Sequence, residues 1–186
     1  GSGKGGIEPG NQWRIEQFCY DIFHSNTATF APTADGAVTI DVAGSVFTDA
    51  AGNNNTAATQ FNWTYDSTGP TMTITTTDGS NAVSDGSTTN DSTLTVTFTS
   101  SEATSNFAVG DITVTNGTLT SFSATSSTVY TATFTPTADG AVTIDVAGSV
   151  FTDAAGNNNT AATQFNWTLE STGPVSYTHL TLPPKS

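Results

Sequence analysis

The sequence predicts an all-β fold, a sandwich of antiparallel strands present as one complete repeat and part of a preceding one. Three observations predict this fold. Apolar residues alternate with Thr or Ser over several short segments, turn residues separate these segments, and residues 27–70 recur almost unchanged at 131–174. No segment carries a helical apolar stripe of useful length.

The repeat defines the domain organisation. The two copies differ only at Ala31/Thr135, Tyr65/Leu169 and Asp66/Glu170, and Pro32 and Pro136 lie 104 residues apart. A period of about 100 residues is too long for a solenoid unit and suits a string of small domains. We therefore predict a complete domain at 70–173 and, at 27–69, the C-terminal part of a preceding repeat that is too short to close two sheets.

About seven strands are predicted within the complete repeat, because apolar residues there alternate with polar ones at a period of two. In chain order these segments are 72–74, 94–98, 112–114, 119–122, 130–134, 142–146 and 165–169. A strand with this pattern buries one face and exposes the other.

Turn residues separate the strands. Asn116-Gly117 is the dipeptide that a tight type I′ turn favours, which predicts a hairpin between 112–114 and 119–122. Ala-Asp-Gly before VTIDV and the DAAGNNN segment before the last strand predict further loops. Seven short antiparallel strands in about 100 residues favour an immunoglobulin-like sandwich.

Three segments carry a resemblance to a known family. SSEATSNFAVGDITVTNGTLTSF, FTPTADGAVTIDV and FTDAAGNNNTAATQ resemble the bacterial immunoglobulin-like domains that are repeated in tandem in large surface and biofilm adhesins. The resemblance covers the complete repeat and, as a partial unit, residues 27–69. It implies an extracellular, non-catalytic spacer on the bacterial cell surface, with neighbouring repeats of the same chain as its partners.

The charge distribution narrows the range of partners. Leu, Ile, Val and Phe make up only 35 of 186 residues, and the net charge is −13. Composition alone would therefore suggest a disordered chain. The prediction of a folded domain depends instead on the alternation of apolar and polar residues. Residues 27–174 contain thirteen acidic residues and no Lys, Arg, His or Cys. Such a polyanion cannot neutralise phosphates, which argues against nucleic acid and anionic membranes. No apolar run is long enough to insert into a bilayer.

The same distribution argues against an enzyme. The repeat has many hydroxyl groups but no His, Lys or Cys that could activate them. A pair of carboxylates acting as a glycosidase stays formally open, but acids scattered over loops are more simply explained as solubilising charge.

Six residues are candidate calcium ligands. Asp49 and Asn53, and again Asp153 and Asn157, lie in DAAGN loops, while Asp66 and Glu170 occupy equivalent positions at the ends of the repeats. Calcium prefers hard oxygen ligands on flexible loops, although this spacing differs from that of an EF-hand. The resemblance adds to this hypothesis, because similar adhesins hold calcium at domain junctions. The alternative is that Asp and Asn only cap turns.

Trp63 and Trp167 have two interpretations. Each could stack on a sugar. However, Trp63 lies two residues after Phe61 and Trp167 two residues after Phe165, so each pair shares one face of its strand. This pattern favours the inward face and a place in the core.

The two ends of the chain do not follow the repeat. VSYTHL in segment 174–186 is what GTC TCT TAT ACA CAT CTG would encode, a string that resembles a sequencing adapter, so we predict a non-native tail at 174–186, a translated adapter. Codons for residues 11–25, read one base later, permit a sequence like 115–129. We therefore predict that 1–26 is a non-repeat segment in a metagenomic fragment, namely the preceding repeat read out of frame; the alternative is an unrelated N-terminal segment. Nucleotide reads with an intact downstream frame would contradict the frameshift.

Three classes of function remain on sequence grounds. A structural stalk needs only stability and fixed spacing, and near-identical loops favour it, because loops with specific partners are expected to differ. A glycan- or protein-binding module would need an exposed patch. The third class is an accessory domain of a secreted enzyme. The adhesive target is not encoded in any motif.

Overall fold

The computed structural model describes the backbone of residues 13–20 and all of residues 26–176. The chain divides into two compact units, unit 1 (Gly1–Thr68) and unit 2 (Gly69–Ser186). The predicted tail at 174–186 lies largely outside the described residues, as does much of the predicted frameshifted segment at 1–26.

Thirteen strands are present in the described residues. They are β1 (Trp13–Tyr20), β2 (Asn26–Pro32), β3 (Gly36–Ile40), β4 (Phe61–Tyr65), β5 (Met72–Thr77), β6 (Ala82–Val83), β7 (Ser87–Thr89), β8 (Leu94–Ser100), β9 (Ile112–Thr115), β10 (Gly117–Ala124), β11 (Val129–Pro136), β12 (Gly140–Val146) and β13 (Phe165–Leu169). A single 3-10 turn at Val109–Asp111 interrupts this all-β pattern.

Unit 2 is a two-sheet sandwich, which confirms the predicted fold class. One sheet has the order β10-β11-β8-β5-β6 and the other β7-β13-β12-β9. Alternation places Leu94, Val96 and Phe98 of β8 in the core between the sheets, and Trp167 of β13 packs edge-on against Phe134 with ring centroids 5.0 Å apart. Trp167 is therefore a core residue, as the alternation predicted.

All seven predicted strands of unit 2 are confirmed, as β5 and β8 to β13. The sequence analysis missed the short strands β6 and β7, because neither carries an alternating apolar pattern. It also predicted only antiparallel pairing, whereas β7 runs parallel to β13, with Ser87 opposite Trp167. β7 is therefore the strand at one edge of the second sheet.

The predicted hairpin at Asn116-Gly117 is wrong. β9 pairs with β12 in one sheet and β10 pairs with β11 in the other, so the chain crosses between sheets at Asn116. Asn116 takes the positive φ of 52° that the crossing requires. Gly117 is required for packing, because a Cβ at this position would lie 2.2 Å from Cζ of Phe134.

Unit 1 repeats part of this architecture. β1 pairs with β2, and β3 pairs with β4. The registers match those of unit 2, since Trp13 lies opposite Pro32 as Gly117 lies opposite Pro136, and Gly36 lies opposite Tyr65 as Gly140 lies opposite Leu169. The described strands of unit 1 thus correspond to β10 to β13 of unit 2.

Burial differs between the two units at identical residues. Phe47 is 61 % exposed and its counterpart Phe151 is 1 % exposed, while Phe61 is 63 % exposed and Phe165 is 7 % exposed. Trp63 is half-buried against Phe30, at a ring-centroid distance of 5.2 Å. Local sequence therefore does not decide whether these aromatic side chains are buried.

Candidate metal centre

The two DAAGN loops fold in the same way. The Oδ1 atom of Asp49 accepts hydrogen bonds from the backbone N–H of Ala51 and Asn53, at 2.9 and 2.8 Å, and its Oδ2 atom accepts one from Nδ2 of Asn53 at 2.8 Å. Turn capping, which was the alternative to calcium, is thus what the Asp49 carboxylate does in this loop.

The second loop reproduces this capping in unit 2. The Oδ1 atom of Asp153 accepts hydrogen bonds from the backbone N–H of Gly156 and Asn157, at 2.7 and 2.8 Å, and Nδ2 of Asn157 donates to its Oδ2 at 2.9 Å. Each carboxylate oxygen has two lone pairs, so capping leaves Asp153 with acceptor capacity.

Hydrogen bonds hold both carboxylates in the charged form. For Asp49, the side chain and then the backbone of Asn53 lower the pKa below its ordinary value. For Asp153, burial raises the pKa, but the hydrogen bonds from Asn157 and Gly156 outweigh burial, so the pKa is lowered as well. Both groups are therefore anionic at neutral pH, as a metal ligand must be.

The surroundings of the two loops differ. Asp49 is exposed, whereas Asp153 is only 5 % exposed, because residues 104–106 of unit 2 pack over the second loop. Thr104 forms a bridge with Asp153, and Asn106 accepts a hydrogen bond from the backbone N–H of Thr152 at 3.0 Å. Unit 2 therefore encloses a carboxylate that unit 1 leaves in water.

A second carboxylate lies beside Asp153. An oxygen of Glu102 and an oxygen of Asp153 come within 4.8 Å of each other. Two carboxylates this close repel each other unless a cation or a proton lies between them. Glu102 is not among the ligands predicted from the sequence, because it stands alone in SSEAT and comes close to Asp153 only in the folded domain. The one sequence signal at Glu102 is that SSEAT belongs to a segment that carries the family resemblance.

A buried hydroxyl adds to this group. The Oγ1 atom of Thr104 is buried and has no hydrogen-bond partner among the described residues. Directly opposed residues of an antiparallel bridge have side chains on the same face, so Thr104 and Asp153 lie on one side of their pair. Unit 2 thus brings the carboxylates of Glu102 and Asp153 together and places the Thr104 hydroxyl on the same face as Asp153. All three side chains offer hard oxygen atoms, the kind of ligand that calcium takes.

The structure does not gather all the predicted ligands. Asp66 in unit 1 is half-buried, and its Oδ1 atom accepts a hydrogen bond from the backbone N–H of Thr68 at 3.1 Å. Glu170 is exposed, and its backbone N–H donates to the carbonyl of Thr89 at 2.9 Å. Neither Asp49 nor Glu170 joins an acidic group of three or more within the described residues.

A second set of carboxylates binds the segments that leave each unit. In unit 1, the Oδ1 atom of Asp35 accepts hydrogen bonds from the backbone N–H and the hydroxyl of Ser67, at 2.8 and 2.6 Å, and its Oδ2 atom accepts one from the Thr68 hydroxyl. From the sequence, the Ala-Asp-Gly that contains Asp35 predicts a turn but not this contact.

The same arrangement recurs in unit 2. Oδ1 of Asp139 accepts hydrogen bonds from the backbone N–H and the hydroxyl of Ser171, at 2.9 and 2.6 Å, and Oδ2 accepts one from the Thr172 hydroxyl at 3.1 Å. Hydrogen bonding by the Ser171 side chain is the main cause that lowers the pKa of Asp139, as the Ser67 side chain does for Asp35. We call Asp35 and Asp139 the exit clamps.

The composition of residues 26–176 restricts the electrostatic contacts that their side chains can form. Residues 26–176 contain no Lys, Arg, His or Cys, so no ion pair between side chains can form among them. We found no candidate for a membrane-spanning helix in the residues that the structure describes.

Two packed sheets of short strands, with loops and exit clamps at their ends, define an immunoglobulin-like β-sandwich module. The family model of the bacterial Ig-like domain matches residues 66–169. The chain belongs to the bacterial Ig-like domain family. Comparison with curated proteins and with solved structures gave no match.

Proposed function

We propose that this chain is part of the stalk of a repetitive bacterial adhesin, a non-catalytic spacer at the extracellular cell surface that joins neighbouring repeats. The observation that carries this proposal is the exit clamp, present with the same hydrogen bonds in both units. A stalk must keep the spacing between its units, and a held exit segment serves that need. Family membership supports the coarser part of the proposal, a structural Ig-like module.

The entry into unit 2 is held as well. Pro70 is fully buried, and its carbonyl accepts a hydrogen bond from the backbone N–H of Thr160 at 3.0 Å. Thr71 exchanges hydrogen bonds with Ser101, and a Cβ at Gly69 would lie 1.9 Å from the carbonyl oxygen of Asn158. Contacts within its own unit therefore hold each residue from Ser67 to Thr71.

Removing the exit clamp is expected to loosen this segment. In a Cys19→Ser background, spin labels at Thr64→Cys and Thr118→Cys report the distance between the two units by pulsed electron resonance. Asp35→Ala should broaden the distance distribution at least about twofold, because Ser67 and Thr68 lose three hydrogen bonds. Asp41→Ala removes the same charge and a contact to Gln60 in unit 1, so it should leave the width unchanged.

Acid should act like the substitution. The pKa of Asp35 is lowered from an ordinary value of 3.8, so the clamp stabilises above that pH and is lost as pH falls through the lowered value. The distribution should stay narrow near neutral pH and broaden only below about pH 4. A wild-type distribution as broad as that of Asp35→Ala at neutral pH would contradict the stalk proposal.

We further propose that calcium stiffens unit 2 through Glu102, Thr104 and Asp153. The support comes from the proximity of two carboxylates and from the buried hydroxyl beside them. Bound calcium would neutralise the carboxylate pair, and these residues would hold it with oxygen ligands alone. Unit 1 offers Asp49 in the same loop but exposed, and Asp66 and Glu170 stay candidate ligands at the repeat ends.

Calcium is expected to raise the melting temperature of the full chain. A ligand that binds only the native state at 100 times its dissociation constant stabilises by about 2.7 kcal/mol, equivalent to roughly 10 to 20 °C for a domain of this size. Glu102→Gln should abolish this response and, by removing repulsion, raise the melting temperature without calcium. Asp145→Asn, at a surface carboxylate bonded to Gln164, should keep the full response. No shift up to millimolar calcium would exclude the metal.

A further inference from the structure

A cavity opens on one side of unit 2, between β5 of the first sheet and β13 of the second. Its volume is about 210 Å³, and it is lined by residues 72–74 of β5, by Asp85 and by residues 163–165, which lead into β13. We call it the side cavity. All of its lining belongs to unit 2 and lies within the described residues.

The side cavity forms because β6 and β7 are short. β6 pairs with β5 only at Thr76 and Thr77, and β7 pairs with β13 only along residues 167–169. Beside the residues that line the cavity, neither sheet has an edge strand among the described residues. The chain crosses from β6 to β7 at this side of the sandwich, and the crossing places Asp85 at the cavity.

The floor of the side cavity is apolar. Met72, Ile74 and Phe165 all belong to the hydrophobic core, and each is between 5 and 7 % exposed. An aliphatic chain placed on them would be removed from water, which stabilises a complex by the hydrophobic effect. The side chains of the floor offer no oxygen atom to a hard cation such as calcium, so this cavity differs in kind from the Glu102 and Asp153 pair.

A negative charge lies at the rim of the side cavity. The Oδ1 atom of Asp85 accepts a hydrogen bond from the backbone N–H of Asn166 at 2.8 Å, and within the described part of the chain no hydrogen bond reaches its Oδ2 atom. Gln164 adds a neutral acceptor, because its Nε2 group donates to both carboxylate oxygens of Asp145, at 3.0 and 2.8 Å, and leaves Oε1 to accept. The rim therefore favours a cation that donates several hydrogen bonds.

We infer that the side cavity binds the side chain of a lysine on a partner protein. A lysine has an aliphatic stem that can lie on the apolar floor, and its ammonium group has three donors and no acceptor, which matches Asp85 and Gln164. An anionic ligand would meet no basic side chain among residues 26–176. An uncharged apolar ligand would cover the Asp85 carboxylate without giving it a partner, which costs free energy. This inference goes beyond the spacer role, because it gives unit 2 a binding site for a basic partner.

The charge of unit 2 as a whole supports a basic partner. Residues 69–174 contain nine acidic residues and no Lys, Arg or His. Their field attracts a positively charged surface and repels other copies of this acidic repeat, which favours a different protein as the partner. Salt screens an ion pair that is open to water, so the affinity should fall from low to physiological salt.

The test uses nuclear magnetic resonance of the full chain with an isotope label in the methionine methyl group. Met72 is the only methionine, so a single signal reports on the floor of the side cavity. We expect Nα-acetyl-lysine methylamide to shift this signal in a saturable way, with half-saturation at millimolar concentration, because an exposed ion pair contributes little. Nα-acetyl-norleucine methylamide has the same side chain without the ammonium group and should bind at least about threefold more weakly. Sodium chloride at matched ionic strength provides the baseline.

Matched variants test the role of the Asp85 charge. Asp85→Asn keeps an oxygen that can accept from the backbone N–H of Asn166 and removes the charge, so it should weaken binding of the lysine compound at least about threefold. Asp85→Glu keeps the charge and should bind more tightly than Asp85→Asn. Asp111→Asn removes the same charge just before β9, at the opposite edge of the second sheet, and should leave the affinity unchanged.

Urea unfolding of unit 2 checks that the variants fold, and the comparison of the two compounds on the wild type depends on no variant. Three results would overturn the inference. These are the absence of a saturable shift of the Met72 signal, equal binding of the lysine and norleucine compounds, and equal affinities in Asp85→Asn and Asp111→Asn. Tighter binding of the corresponding arginine compound would overturn the assignment to lysine.

Discussion

Replacing Phe151 with alanine is expected to destabilise unit 2 by about 3 to 5 kcal/mol, the cost of truncating a fully buried aromatic residue. Phe151 is 1 % exposed and packs against Phe107 within the aromatic cluster of the core. Alanine would leave a cavity, and the two paired sheets that enclose it limit how far it can collapse. This loss is a large fraction of the 5 to 15 kcal/mol that stabilise a typical domain.

Phe47→Ala is the matched control, because the surrounding sequence is identical and the side chain is mostly exposed. Its effect should stay within about 0.5 kcal/mol, as for most surface substitutions. Urea unfolding followed by Trp167 fluorescence, in a chain whose Trp13 and Trp63 are replaced by Phe, measures the effect of Phe151→Ala on unit 2. Hydrogen exchange of the unit 1 amides measures the effect of Phe47→Ala. A loss below about 1 kcal/mol for Phe151→Ala would show that residue 151 lies outside the core.

Asn159→Ala is the second substitution expected to have a large effect, at about 3 kcal/mol. The Oδ1 atom of Asn159 accepts hydrogen bonds from the backbone N–H of Val150 and Phe151, at 2.9 and 3.0 Å. Its Nδ2 group donates to the carbonyls of Ala147 and Thr160, at 2.8 and 2.9 Å. Asn159 is buried, so alanine would leave backbone groups without partners, and each such group costs about 1 to 3 kcal/mol.

Asn55 tests the role of burial in this effect. It makes the four equivalent hydrogen bonds in unit 1, but the residues on either side of its loop are exposed, so water can replace the lost partners. We expect Asn55→Ala to cost no more than about 1 kcal/mol. The readout for unit 1 is hydrogen exchange of the Val46 and Phe47 amides, and the readout for unit 2 is the urea midpoint. Equal losses at the two positions would contradict an effect of burial.

Much of the fold could be predicted because its signals are local. The alternation of Leu94, Val96 and Phe98 with Thr predicts a strand whatever packs on it. The same holds for the other six strands of unit 2 that alternation predicted. The Asn116-Gly117 hairpin could not be judged in this way. The dipeptide accommodates a positive φ, but whether β9 turns back onto β10 depends on β12 and β11, which compete for their edges.

The candidate site was only half predictable for a similar reason. The DAAGN loops are compact, so Asp153 and Asn157 could be identified from their spacing, and their mutual hydrogen bonds follow from local geometry. Glu102 lies in a separate segment about 50 residues before Asp153. It meets Asp153 only because Thr104 bridges to that loop in the folded sandwich.

By itself, the sequence determined that this chain is built of strands, that residues 27–70 recur at 131–174, and that residues 27–174 contain no Lys, Arg, His or Cys. These properties depend on local alternation, on self-comparison and on composition. The tertiary structure alone decided that Phe151 is buried while Phe47 is exposed, that β9 and β10 lie in different sheets, and that Glu102 accompanies Asp153. The physical reason is that burial and strand pairing depend on which distant segments are present to pack, and identical sequences in the two units have different neighbours.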